Sequence, residues 1–74
     1  MNRIREVREA AGITQARLYR QLGWSQGRLG NYESGTRKVG LQEARDVVTA
    51  LNALGAQCTL DDVFPPSLNQ ERVA

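Results

Sequence analysis

Side chains that can hydrogen-bond nucleic-acid bases follow one another in residues 25–34. Gln26 and Asn31 carry amides, which pair with the adenine edge in the major groove of DNA, and Arg28 carries a guanidinium that suits guanine or phosphate. Gly27 and Gly30 interrupt these side chains, and a glycine allows close approach of the backbone. The spacing predicts one helix face that contacts double-stranded DNA.

Two short helices joined by a tight turn are predicted to position that face. Thr14 can cap a helix over residues 15–22 by accepting a hydrogen bond from a free backbone N–H group, and Ser25 can cap the next helix in the same way. Gly23 stands between them, where a helix end favours a residue that tolerates positive φ. Leu29 is expected to face the core. This pattern is a helix-turn-helix.

The residues also resemble a known family over about residues 3–64. The resemblance is carried by the run TQARLYRQLGWSQGRLGNYESGTRK, residues 14–38, which looks like the helix-turn-helix core of phage repressor, Cro and XRE-type regulators. Its specific marks are Thr14-Gln15, Leu18, Leu22-Gly23, Leu29 and Tyr32-Glu33-Ser34-Gly35. The resemblance implies an all-α fold, a compact five-helix bundle of the lambda-repressor-like type.

Two aromatic residues depart from what the family usually has. Tyr19 stands where the family usually has Ala, because the two helices cross closely there. We expect its ring to tilt outward or to find room beside Gly27 or Gly30. Trp24 stands at a turn position that is usually a smaller aliphatic residue, and we predict that it packs at the core or its rim without binding a ligand.

The predicted contacts with DNA fall into two sets. The base-reading set is Gln26, Gly27, Gly30 and Asn31, and the phosphate-binding set is Gln15, Ser25, Arg28, Arg37 and Lys38. Gln15 lies in a first helical turn, where free N–H groups attract phosphate, although a polar residue there can be merely tolerated. Arg37 and Lys38 follow the reading helix; the alternative is a solvated basic loop.

The resemblance also implies a structural ion pair between Arg8 and Glu33. In the family, an Arg at this position commonly pairs with the Glu that closes the recognition helix. Such a pair would connect the first helix to the end of the third. The alternative is a solvent-exposed Arg8 that contributes almost nothing to stability.

Positive charge is concentrated in the half of the chain that holds the motif. Residues 1–38 contain eight Arg or Lys against three Glu, a net charge of +5, whereas residues 39–74 contain two Arg against five acidic residues, a net charge of −3. Nine of the ten cations are Arg, which suits bidentate contact with phosphate and guanine. The asymmetry can arise by accident, but its coincidence with the motif favours DNA binding.

The remaining segments are predicted to complete a helical bundle. We expect a first helix over residues 3–11, a long fourth helix over residues 41–54 and a short last helix after Thr59. The core-facing residues would be Ile4, Val7, Ala11 and Ile13, followed by Leu41, Ala44, Val47, Val48, Leu51 and Leu54 in the fourth helix. We expect residues 1–66 to form the DNA-binding domain and residues 67–74 to form a flexible tail.

Composition argues against several other functions. Cys58 is the single cysteine and the chain has no His, so we expect no disulfide, no zinc site and no cofactor. The lone Cys lacks a base and the carboxylates are scattered, so we predict no enzymatic activity. The chain has no apolar run of membrane-span length and no signal-peptide core in its first residues, and we therefore expect a cytoplasmic protein.

The leading hypothesis is a transcriptional regulator, such as a Cro-like repressor, that binds operator DNA as a homodimer. Val63 and Phe64 are predicted to close either the core or a subunit contact, and the dimer surface is predicted near Leu54, Val63, Phe64 and Leu68. One alternative is an antitoxin-type regulator that binds both DNA and a toxin protein. The other is a protein-interaction module that has lost DNA binding. Duplex binding that weakens steeply with salt would eliminate the pure interaction module.

Overall fold

The computed structural model describes residues 2–65, and these form five α-helices. In chain order the helices are α1 Ile4–Ala10, α2 Gln15–Leu22, α3 Gln26–Ser34, α4 Leu41–Ala53 and α5 Leu60–Val63. The described residues contain no strand, so the predicted all-α, five-helix fold is confirmed. The predicted tail at 67–74, including Leu68, lies outside the described residues.

One apolar core connects all five helices. Each helix contributes at least one side chain that is completely inaccessible to solvent, namely Ile4, Leu18, Leu29, Val47, Leu51 and Val63. Full burial of such a side chain stabilises a fold by about 1.5 to 3 kcal/mol. In α3 this buried side is formed by Leu29 together with Tyr32, so the opposite side of that helix faces outward.

Side-chain caps and a left-handed glycine fix the turn between α2 and α3. Thr14 Oγ1 accepts a hydrogen bond from Arg17 N, and Ser25 Oγ accepts one from Arg28 N, each at 3.1 Å. Gly23 ends α2 with φ of 74°, a conformation that L side chains rarely adopt. Both predicted caps and the predicted glycine turn are confirmed.

The start of the chain ties α1 to the ends of α3 and α5, a feature that we did not predict. Asn2 Nδ2 donates to the Tyr32 carbonyl at 2.8 Å, and Asn2 Oδ1 accepts from Ile4 N at 3.1 Å. Arg3 N donates to the Val63 carbonyl at 2.7 Å. These bonds satisfy terminal backbone groups of three helices at one place.

Two apolar residues do not lie where the sequence pattern puts them, and a third takes one of two predicted places. Leu41 is 62% exposed, because the covered side of α4 begins one turn later at Ala44. Ala11 is exposed, because it follows the last residue of α1 and the core position passes to Ile13. Val63, which is predicted to close either the core or a subunit contact, is completely buried in the core, so its side chain is not accessible to a second subunit.

Candidate nucleic-acid interface

The four predicted base-reading residues lie on the outward side of α3, which we call the α3 face. Gln26, Gly27 and Asn31 are exposed, and Gly30 is partly exposed. Residues three or four positions apart are neighbours on a helix surface, so these four residues form one continuous strip. The side chains of Gln26 and Asn31 have no hydrogen-bond partner among residues 2–65, and both amides are free to bind another molecule.

The two glycines leave open space in the α3 face. A Cβ atom built at either Gly27 or Gly30 meets no heavy atom within 4 Å. The expectation that these glycines make room for Tyr19 is therefore wrong. Tyr19 is partly buried and packs against the core, because its position on α2 turns it toward the bundle. Its carbonyl accepts a hydrogen bond from Trp24 N at 2.9 Å.

Arg8 and Glu33, which the resemblance pairs, form a bidentate ion pair inside the domain. Arg8 Nε donates to Glu33 Oε2 at 2.8 Å and Arg8 Nη2 donates to Glu33 Oε1 at 3.2 Å. Arg8 Nη1 donates to the Ile13 carbonyl at 3.1 Å. The Glu33 side chain is 0% exposed. The last turn of α3 is thus fixed to α1 by charge-assisted hydrogen bonds, which are stronger than neutral ones.

Glu33 also connects α3 to the first turn of α2. Gln15 Nε2 donates to Glu33 Oε1 at 3.3 Å, and the exposed Arg5 has its Nε 3.5 Å from the same oxygen. The second hydrogen of the Gln15 amide nitrogen remains available to an acceptor outside the domain. Sequence reasoning missed both contacts. Its assignment of Gln15 to a DNA phosphate stays a prediction.

Arg28 lies against two aromatic rings and a carboxylate. Its Cζ is 4.2 Å from the centroid of the Trp24 ring and 6.0 Å from that of Tyr32. The two ring centroids are 5.2 Å apart at an interplanar angle of 51°. Arg28 Nη2 is 3.9 Å from Glu43 Oε2 on α4. The sequence holds a signal that we did not use, since residues 24, 28 and 32 are spaced at intervals of four.

The loop after α3 carries the two remaining predicted phosphate ligands. Gly35 ends α3 with φ of 82°, and Arg37 N donates to the Asn31 carbonyl at 3.1 Å, so the loop folds back on the helix end. The side chains of Arg37 and Lys38 are exposed, and neither forms an ion pair with another residue in the range 2–65. Within that range, two unpaired cations therefore flank the end of the α3 face.

The rest of the described chain offers little other chemistry. A shallow groove of about 460 Å³ is lined by residues that include Val7, Gly55 and Cys58. Burial, and then the nearby Asp62 carboxylate, raise the pKa of the Cys58 thiol, which makes it a weak nucleophile at neutral pH. Within residues 2–65, no three potential metal ligands come together. Across the same range, every helix is too short or too polar to cross a bilayer.

Comparison with known proteins gives one family match. The family described as helix-turn-helix domain matches residues 2–62, which is most of the chain and includes all five helices except the last residue of α5. The comparison with curated proteins finds no match.

Proposed function

The chain belongs to the helix-turn-helix domain family, and from this premise we propose that it is a sequence-specific DNA-binding transcriptional regulator, a Cro-like repressor, that reads the major groove with α3. The family supports DNA binding. Repression, the Cro-like character and the residues that contact DNA are proposals.

The observation that carries the proposal is the division of α3 into two sides. Leu29 and Tyr32 bury one side, while the α3 face presents two glycines and two amides, which have no partner among residues 2–65, to solvent. A major groove admits one α-helix, and Gln or Asn amides can pair there with both polar atoms of an adenine edge. The Ser25 cap closes the first turn of α3, and the Glu33 ion pair attaches its last turn to α1, so the helix can present this face as a rigid unit.

Phosphate contacts are proposed on either side of the α3 face. The first turns of α2 and α3 have free N–H groups that favour an anion, and Gln15, Ser25 and Arg28 lie at these turns. Arg37 and Lys38 lie beyond the other end of α3. A helix of this length reads only a few base pairs. We therefore propose a homodimer that binds two half-sites about 34 Å apart, one turn of the double helix.

The test is an unbiased selection of bound duplexes from random DNA, with the salt concentration stated. We expect enrichment of a motif with two related halves. We also expect the logarithm of the association constant to fall with the logarithm of salt by about 0.9 for each phosphate that a cation neutralises. Absence of both enrichment and duplex binding would eliminate the regulator and favour the protein-interaction module.

Arg37→Ala tests the phosphate set. We expect weaker binding to every duplex, with no change in the preferred sequence, because a phosphate contact carries no base information. The salt slope should become shallower by about 1. Arg45→Ala is the matched control, since it removes the same charge from an exposed position of α4 outside the predicted contacts. Equal effects of the two variants would show that Arg37 contributes only general charge.

The glycines of the α3 face give opposite expectations for stability and for binding. Gly27→Ala and Gly30→Ala should each stabilise the fold by about 0.5 to 1 kcal/mol, because the new methyl group meets no atom and glycine disfavours a helix. Both variants should bind DNA more weakly, because the methyl group would keep bases from the backbone. Urea unfolding and duplex titration measure the two effects. Unchanged affinity would remove that glycine from the base-reading set.

A further inference from the structure

Arg28 is held on two sides before any ligand is bound. The guanidinium carbon lies 4.2 Å from the centroid of the Trp24 ring, and Glu43 supplies a carboxylate 3.9 Å from Nη2. The Arg28 side chain nevertheless remains 40% exposed. Arg28 is in the first turn of α3, three residues after the Ser25 cap, so this arrangement adjoins the α3 face.

The two partners hold Arg28 in different ways. A guanidinium over an indole ring is attracted by the negative face of the ring, and this contact leaves the in-plane N–H donors free. The Glu43 contact is longer than a hydrogen bond and partly solvated, so it is weak. A phosphate can accept two parallel hydrogen bonds from the same guanidinium, which is a stronger arrangement. The geometry thus lets a phosphate replace Glu43 while the ring contact is kept.

Glu43 lies in the first turn of α4. It is the third residue of the helix after the Gly40 cap position, and its carboxylate lies so close to Gly40 that a Cβ atom built there would collide with it. A carboxylate at the start of a helix is stabilised by the helix dipole. Glu43 therefore places a negative charge beside Arg28, and this charge opposes the approach of a phosphate.

We propose that Trp24 is a positioning residue, which holds the Arg28 guanidinium beside the α3 face, and that Glu43 competes with a DNA phosphate for this guanidinium. This inference rests on the proposed function. It predicts that the Glu43 charge limits the affinity for any duplex, and that the limit acts through Arg28.

The test titrates a fluorescein-labelled duplex of mixed sequence and about 20 base pairs, at about 50 mM and about 200 mM salt, with binding followed by anisotropy. Glu43→Gln should bind about threefold more tightly than the unaltered chain at the lower salt. Asp46→Asn is the control, because it removes the same charge one turn further along α4, at an exposed residue bonded to Gln42. It should change the affinity much less.

The proposed effect of Glu43 depends on Arg28, so a variant without the Arg28 guanidinium tests it. In Arg28→Gln, which keeps a polar side chain, the added substitution Glu43→Gln should give no gain, because the group for which Glu43 competes is absent. Equal gains from Glu43→Gln and Asp46→Asn, or a gain that persists without Arg28, would overturn the inference while leaving DNA binding intact. If the unaltered chain binds no duplex at either salt concentration, the proposed function fails and the inference fails with it.

Variants of Trp24 test the contact between its ring and Arg28 separately from the contact with Glu43. Trp24→Leu removes the ring that orders Arg28 and should weaken duplex binding about threefold, whereas Trp24→Phe keeps an aromatic face and should recover most of the loss. Circular dichroism checks that both variants are folded. If Trp24→Leu is unfolded, the effect of Trp24→Phe on duplex affinity is measured instead, once in the unaltered chain and once in Arg28→Gln. A Phe variant that binds no better than Leu, or one whose loss is independent of Arg28, would contradict the role of the ring.

Discussion

Replacement of Glu33 by alanine is expected to lower the free energy of unfolding by about 3 to 5 kcal/mol. The physical reason is the burial of its partner. Arg8 is 8% exposed, and without the Glu33 carboxylate its guanidinium charge stays in the interior. Its remaining partners are the Ile13 carbonyl and the exposed Glu9 carboxylate, which lies 3.9 Å from Nη2 and is too distant for a hydrogen bond. A chain of 74 residues with one folded domain has about 4 to 11 kcal/mol of stability in total, so this single change removes much of it. Urea unfolding followed by circular dichroism measures the loss.

Two further variants test whether the unpaired buried charge causes this loss of stability. Arg5→Ala removes the exposed cation that also lies near Glu33, and we expect it to change stability by less than about 0.5 kcal/mol. Arg8→Met combined with Glu33→Leu removes both charges and replaces them with apolar side chains, so it should recover most of the stability lost in Glu33→Ala. A stable Glu33→Ala, or a double variant as unstable as the single one, would show that burial of unpaired charge is not the cause.

Local features of the fold could be predicted because each depends on a few neighbouring residues. Thr14 and Ser25 act as caps, and Gly23 ends α2 with a left-handed conformation, as their types and positions indicate. The bounds of α2 follow directly from two of these signals. The pattern of α4 is less informative at its start. The periodicity of a helix does not show where neighbouring elements stop covering it, so the exposure of Leu41 could not be predicted.

Contacts between distant residues were not predictable from spacing. Asn2 bonds the Tyr32 carbonyl across 30 positions, and Gln15 bonds Glu33 across 18 positions. Such contacts depend on how the helices cross, and a local sequence pattern does not predict the crossing. The contacts of Arg28 are partly predictable from the sequence. Its contact with Trp24 follows from a spacing of four residues, whereas its contact with Glu43 requires α4 to pack beside α3.

Loss of either amide from the α3 face is expected to change which bases the protein prefers. An amide that bonds an adenine edge at two points contributes about 1 to 3 kcal/mol of discrimination, which corresponds to about fivefold to 150-fold between the right base and a wrong one. Gln26→Ala and Asn31→Ala should therefore each relax the preference at particular positions of the selected motif. Stability should change little, because both side chains are exposed and unpaired among residues 2–65.

The selection from random duplexes, repeated with each variant at one salt concentration, measures this effect position by position. Gln21→Ala is the matched control, because it removes the same amide from an exposed position of α2 outside the α3 face. We expect it to leave the motif unchanged. The two amides lie five residues apart and project from different turns of α3, so their losses should affect different base pairs. A motif that survives both substitutions unaltered would show that another surface of the protein reads the DNA.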